Sequence, residues 1–174
     1  EERDMDFFEL IKVRESCRSY ADRPVEREKL VSCIEAARLA PSACNSQPWR
    51  FIVVHRPDLV APLSGCLASQ GINGFTKSCQ AFIVVIEEKA KLSRRIAEVL
   101  PSQTYAQLDV GIATAHIVLA AAEQGLSTCI MGWLDEEKLK TLLSIGEEEK
   151  VRLVVAVGYA AEVGQRAKVR KPVE

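Results

Sequence analysis

Two arginines and a serine recur at every second position in Arg14-Glu15-Ser16-Cys17-Arg18-Ser19-Tyr20. In an extended backbone alternate side chains point the same way. Arg14, Ser16 and Arg18 then share one edge, about 13 Å from end to end. Such an edge can fold around a phosphate, because a planar guanidinium gives charge-assisted and often bidentate hydrogen bonds. The same spacing also suits a solvated stretch paired with Glu15 or Asp22, and spacing alone does not separate the two. A second candidate is Pro41-Ser42-Ala43-Cys44-Asn45-Ser46-Gln47-Pro48-Trp49-Arg50-Phe51. Its prolines fix the backbone, so Ser42, Asn45 and Gln47 are held ready for a ligand. The alternative is a rigid connection whose polar groups satisfy the local backbone.

Other chemistries find little support. Six cysteines lie far apart with no C-x-x-C pair, and two histidines accompany them, so no metal site is expected. His55 and His116 lack an acid and nucleophile arrangement, and no catalytic side chain is expected. No G-x-G-x-x-G or G-x-x-x-x-G-K occurs. The 23 basic and 24 acidic residues nearly cancel, so neither nucleic acid nor a membrane surface is expected as partner. Any anion site must come from local placement of charge. No window is apolar for long enough to span a bilayer, and Glu1 to Asp6 is charged rather than signal-like, which predicts a cytoplasmic protein.

The elements that must position these residues follow from periodicity. Phe7, Phe8, Leu10 and Ile11 predict an amphipathic helix over Met5 to Val13. A second helix is expected from Glu26 to Ala40, stopped by Pro41. Trp49 to His55 reads as a strand, Pro57 to Ala68 as a helix, and Ala81 to Glu87 as a strand buried on both faces. Thr104 to Gln124 is an alanine-rich helix that is apolar nearly all round, ended by Gly125, and so central or buried in a partner interface. A strand over Ser127 to Met131, a helix capped by Asp135 and carrying Leu139, Leu142 and Leu143, and a strand over Val151 to Tyr159 complete a single domain of 174 residues. The two leading helices depart from a plain βαβ series.

R-x-S-x-R-x-Y followed about twenty residues later by A-P-S-x-x-N-x-Q-P-W-x-F resembles the FMN-dependent nitroreductase family. The likeness continues through Asp109-Val110-Gly111, through Ala122-Glu123-Gln124-Gly125-Leu126-Ser127-Thr128-Cys129-Ile130-Met131-Gly132, and through Val157-Gly158-Tyr159-Ala160 to Arg170-Lys171-Pro172. Each motif is weak alone, but the ordered set spans the chain. The resemblance implies a homodimeric α+β fold, with a mainly antiparallel central sheet flanked by helices and two FMN sites at the dimer interface. It implies that Arg14, Ser16 and Arg18 hold the FMN phosphate and ribityl chain, joined by Arg170 and Lys168. Pro41, Ser42 and Asn45 would reach the flavin from the partner subunit, with Gln47 nearby. Lys77 would stand at the pyrimidine edge, and Met131 and Gly132 against the ring. Trp133, next in sequence, suits either contact with substrate or packing, and its position alone does not separate the two. The stretch from Val163 to Val173 carries four basic residues and no acid, which suits a dianionic phosphate where no glycine loop is present. A solvated basic tail is the competing meaning.

Two departures from the family pattern stand out. Glu15 occupies a position where many relatives carry a base, which predicts weaker phosphate binding. The Glu88 to Gln103 stretch is short, which predicts an open active site with broad substrate choice. The implied activity is ping-pong electron transfer from NADH or NADPH through FMN to a nitroaromatic, quinone or similar acceptor. A dehalogenase or dehydrogenase on the same scaffold, or a flavin carrier without its own substrate, is the alternative.

Overall fold

The computed structural model describes residues 5–68, 71–99, 105–162 and 164–173. Its centre is the strand that the sequence marks as buried on both faces, Ala81–Glu87. With Trp49–Val54 (β1), this strand (β2), Ser127–Met131 (β3) and Lys150–Gly158 (β4), it forms one antiparallel sheet in the order β1-β2-β4-β3. The alternation of β2 explains the layering. Ala81, Ile83 and Val85 face one apolar cluster, and Phe82, Val84 and Ile86 face another.

Helices cover both faces. Arg27–Arg38 (α2) and Ala106–Glu123 (α5) pack on the first, through Leu30, Cys33 and Ala37 against Val110, Ala113, Ile117 and Ala121. Pro57–Leu67 (α3) and Glu136–Leu143 (α6) cover the second, through Leu63, Leu67 and Leu139. Phe7–Val13 (α1) lies against α5 and buries no residue of its own. Arg94–Val99 (α4) interrupts the stretch that reads from sequence as a short connection.

The ends of the helices follow ordinary capping chemistry. Asp6 accepts from the Glu9 N–H at 2.9 Å, and Asp135 from the Lys138 N–H at 3.2 Å. After α5, Gly125 turns left-handed at φ 75°, and the Leu126 N–H reaches back to the Ala121 carbonyl at 2.8 Å.

Several expected bounds shift inward. Helix α1 begins at Phe7 rather than Met5, α2 spans Arg27–Arg38 rather than Glu26 to Ala40, and α3 ends at Leu67 rather than Ala68. Leu39 and Ala40 instead make tighter bonds to Ala36 and Ala37 as the chain approaches Pro41. Strand β1 stops at Val54, short of His55, and β4 runs one residue earlier than expected, over Lys150–Gly158. Helix α5 ends at Glu123, and Thr104, its expected start, lies outside the described residues.

Candidate functional site

The arginine-rich segment is extended, and the edge of the sheet holds it there. Ser16 bridges Thr128 of β3 in parallel, with the Cys17 N–H on the Thr128 carbonyl at 2.9 Å. Tyr20 bridges Ala160, and the Ala21 and Ala161 N–H groups bond Tyr159 and Ser19 across the same junction. Tyr20 is buried, and its hydroxyl donates to the Cys17 carbonyl at 3.1 Å. Its ring passes so close to Gly158 that a Cβ there would stand 2.8 Å from Tyr20 Cδ1. Glycine is therefore needed at Gly158 to let the tyrosine brace the segment.

The basic stretch 164–170 folds back onto the same edge. Lys168 Nζ donates to the Arg14 carbonyl at 2.6 Å, and the Arg166 guanidinium donates to the Ser16 carbonyl and pairs with Glu15 at 3.2 Å. Arg14, Ser16, Arg18, Arg166, Lys168 and Arg170 thereby line one cleft of about 350 Å³. Glu15, which reads from sequence as an intruding acid, anchors this returning stretch. Arg166 is the residue that the sequence reading does not single out. Its only signal is the run of four bases, which does not say which of them turns inward. The Lys168 ammonium is held below the usual lysine range, first by burial and then by the positive charge of Arg14, with Arg170 and Arg166 adding to it and Glu15 opposing. Like charges are gathered here with one acid among them, which gives the cleft a positive local field.

The proline-bracketed loop is rigid in a different way. Cys44, Asn45 and Gln47 take left-handed φ values of 54°, 51° and 45°, a region that residues other than glycine seldom occupy. Ser42 Oγ accepts from the Gln47 N–H at 3.0 Å, and Gln47 Nε2 donates to Asn45 Oδ1 at 3.3 Å. Both carboxylate oxygens of Asp109 accept from the Ala43 N–H at 3.2 Å. Asp109 is only 5% exposed, on the first turn of α5, and pins the loop to that helix. Pro41, Asn45 and Gln47 face solvent, with Ser42 half-buried.

These two groups stand far apart in one chain. The loop meets α5 at Asp109, whereas Arg14 shares a small cleft with Ala122 and Gly125 at its other end. Thirteen residues of helix separate Asp109 from Ala122, or about 20 Å. The sheet agrees, since the loop leads into edge strand β1 and the arginine segment flanks the opposite edge, β3.

Met131 is buried at the end of β3 and Gly132 is exposed just beyond it. Thr128, beside Ser16, lies four residues back, about 13 Å along the strand. Lys77 is not brought to either place. It is exposed on a 3-10 turn, Gly74–Ser78, and lines a separate cleft of about 440 Å³ with His55, Pro57 and Gln80. Its neighbour Thr76 is fully buried, with Oγ1 on Ser64 Oγ at 2.9 Å and on the Asn73 carbonyl at 2.8 Å. Successive side chains in a 3-10 turn diverge by about 120°, so burying Thr76 turns Lys77 away.

The family model for the nitroreductase family matches residues 11–73 and 64–159, which include the arginine segment, the proline loop and the sheet. The chain belongs to the nitroreductase family. A relative from Archaeoglobus fulgidus, whose given name pairs NADH dehydrogenase with NAD(P)H nitroreductase, is 34% identical over 86% of this chain and 83% of its own. The iodotyrosine deiodinase of Haliscomenobacter hydrossis is 25% identical over 90% of this chain and 80% of its own. Among solved structures, a nitroreductase family protein of Streptococcus pneumoniae superposes with a TM-score of 0.82 at 28% identity, covering 97% of this chain and 96% of that one. An FMN-dependent nitroreductase of Clostridium difficile gives 0.75 at 28% identity over 91% and 90%. The nitroreductase α+β fold expected from sequence is thus the one adopted, with its helices on both sides of an antiparallel sheet.

Proposed function

We propose that this nitroreductase-family chain is an FMN-dependent oxidoreductase that takes electrons from NADH or NADPH. The observation that carries the reading is the cleft where Arg14, Ser16, Arg18, Arg166, Lys168 and Arg170 converge. Its lysine is already disfavoured as a cation by burial and by the arginines around it, and a dianionic phosphate would relieve that repulsion. The residues fit the group. Arg14, Arg18, Lys168 and Arg170 would hold the phosphate, Ser16 would bond it or the ribityl chain, and Met131 and Gly132 would back the ring farther along β3. When bound, FMN supplies the hydride-accepting ring, and no side chain needs to act as nucleophile.

The chain's own residues bind and orient. The clamp fixes one end of the cofactor, and the end of β3 fixes the plane against which reductant and acceptor take turns in ping-pong order. Pro41, Ser42, Asn45 and Gln47 lie about 20 Å from the clamp within one chain. Their pre-set backbone therefore serves a site completed by a second copy, and the active form is a homodimer. Lys77 stands outside the clamp, on the turn that Asn73 ties to the Trp133 carbonyl. Nitroaromatics, quinones and related electron-poor compounds are the acceptors proposed.

The test is direct. Purified protein is titrated with FMN, then mixed anaerobically with NADH or NADPH and reoxidised with a nitroaromatic. Tight FMN binding, bleaching by a nicotinamide and recovery of the flavin spectrum are expected. Failure of both nicotinamides to bleach bound flavin would overturn the reading.

A further inference from the structure

Beyond β3, Gly132 to Asp135 have no regular secondary structure, yet their backbone is tied on both sides. Asn73 Nδ2 donates to the Trp133 carbonyl at 3.2 Å, and the Asp135 N–H donates to the Cys66 carbonyl at 2.9 Å. Asn73 takes a left-handed φ of 57° where it makes this bond, a conformation that asparagine tolerates better than most residues. Leu134 packs into the cluster beneath α3 and α6. Fixed between these ties, Trp133 leaves 49% of its surface exposed, whereas the chain's other tryptophan, Trp49, sits in the core. Ile130, two residues before Gly132, is also exposed, at 41%. A large aromatic ring left half in water on a pinned backbone forgoes about half of its burial, and the open half offers a flat surface to an occupant.

Resting on the reading that the flavin ring lies against Met131 and Gly132, we infer that Trp133 is a specificity-determining residue whose indole stacks planar, electron-poor aromatic acceptors beside that ring. The chemistry favours this class. The face of an indole is electron-rich, so it attracts an electron-deficient ring in an offset stack more than an aliphatic group of equal area. Trp133 follows Gly132 directly, about 3.8 Å away between Cα atoms. A ligand lying on the backbone at Gly132 is therefore within reach of the indole. The stack needs no charged partner, which suits neutral quinones and nitroaromatics alike.

Equilibrium titration of the oxidised, FMN-loaded protein tests this without turnover. 4-Nitrobenzoate and cyclohexanecarboxylate share a carboxylate and differ in planarity and π character, and binding of each is read from the flavin absorbance and the tryptophan fluorescence. Trp133→Ala is expected to weaken nitrobenzoate roughly three- to tenfold and to leave cyclohexanecarboxylate within twofold, while Trp133→Phe restores most of the loss. Equal nitrobenzoate affinity in wild type and Trp133→Ala, or an equal loss for both carboxylates, would overturn the inference. So would a change in sedimentation mass on Trp133→Ala, which would assign the indole to contact with a second copy. Should wild-type protein fail to take up FMN at all, the proposed function itself falls. Should FMN bind and bleach normally while nitrobenzoate ignores Trp133, only this inference falls.

Discussion

The proposed anion clamp gathers side chains that repel one another, so a bound anion would stabilise it. Each guanidinium of the clamp is expected to contribute a charge-assisted contact of about 1.5–3 kcal/mol. Arg14→Ala and Arg18→Ala should each weaken FMN by about ten- to a hundredfold, as measured by quenching of flavin fluorescence, and unchanged affinity in both would remove the clamp. Lys168 adds a pH dependence. Its ammonium is depressed below the ordinary 10.5 by burial and by Arg14, while a bound phosphate favours the charged form. Binding therefore takes up protons as pH rises through the depressed value, and FMN affinity should fall across that window. Lys168→Ala should flatten the slope. The fold without ligand behaves oppositely. Its unfolded chain holds more protons between the depressed value and 10.5, so this lysine's share of stability rises with pH there. That Arg14, Ser16 and Arg18 share one edge was legible because an extended strand has period two and the sheet edge keeps that period. The placing of Lys77 on an exposed turn was not legible, because the direction of a side chain on a 3-10 turn depends on which neighbour is buried, and Thr76 takes the inward position.

Between residue and molecule, two elements act as braces. Gly158 lets Tyr20 close over β4, and a methyl there would meet a buried ring at 2.8 Å. Gly158→Ala should cost about 1–3 kcal/mol, seen as a lower Tm, and should loosen the arginine segment that Tyr20 supports. Asp109 braces the proline loop through the Ala43 N–H. Asp109→Ala should destabilise the protein by about 1–3 kcal/mol, because the half-buried Ala43 N–H loses its partner. It should also reduce FMN affinity if the loop completes a neighbour's site, whereas a loop serving only its own chain predicts a stability loss alone. The elements themselves read well from periodicity, to within two residues at most ends. Helix α4 did not, since Arg94–Val99 buries none of its residues and so carries no apolar stripe to read.

At the scale of the whole molecule, α1 and α5 leave apolar groups in the open. Phe8 is 67% exposed, Leu108 65% and Ile112 40%. The all-round apolar pattern of α5 pointed to either a central helix or a partner interface, and this helix has both a buried face and an open one. A second copy covering the open face would account for it. Sedimentation should give twice the 19.2 kDa chain mass. Leu108→Glu should shift the protein to the single-chain mass and lower FMN affinity with it. A single-chain mass for wild type would end the shared-site reading.

The meeting of Lys168 with Arg14 has a consequence for how the protein is made. The two residues are 154 positions apart in sequence, so half of the clamp is synthesised long before the other half. At about 5–20 residues per second, the arginine segment waits roughly 8–30 s for its partners. For most of that interval neither β3, which holds the segment extended, nor the basic stretch 164–170 has been made. If the cleft is the cofactor clamp as proposed, capture belongs to the end of synthesis, and a chain halted before Arg166 keeps most of its core but lacks half of the cleft.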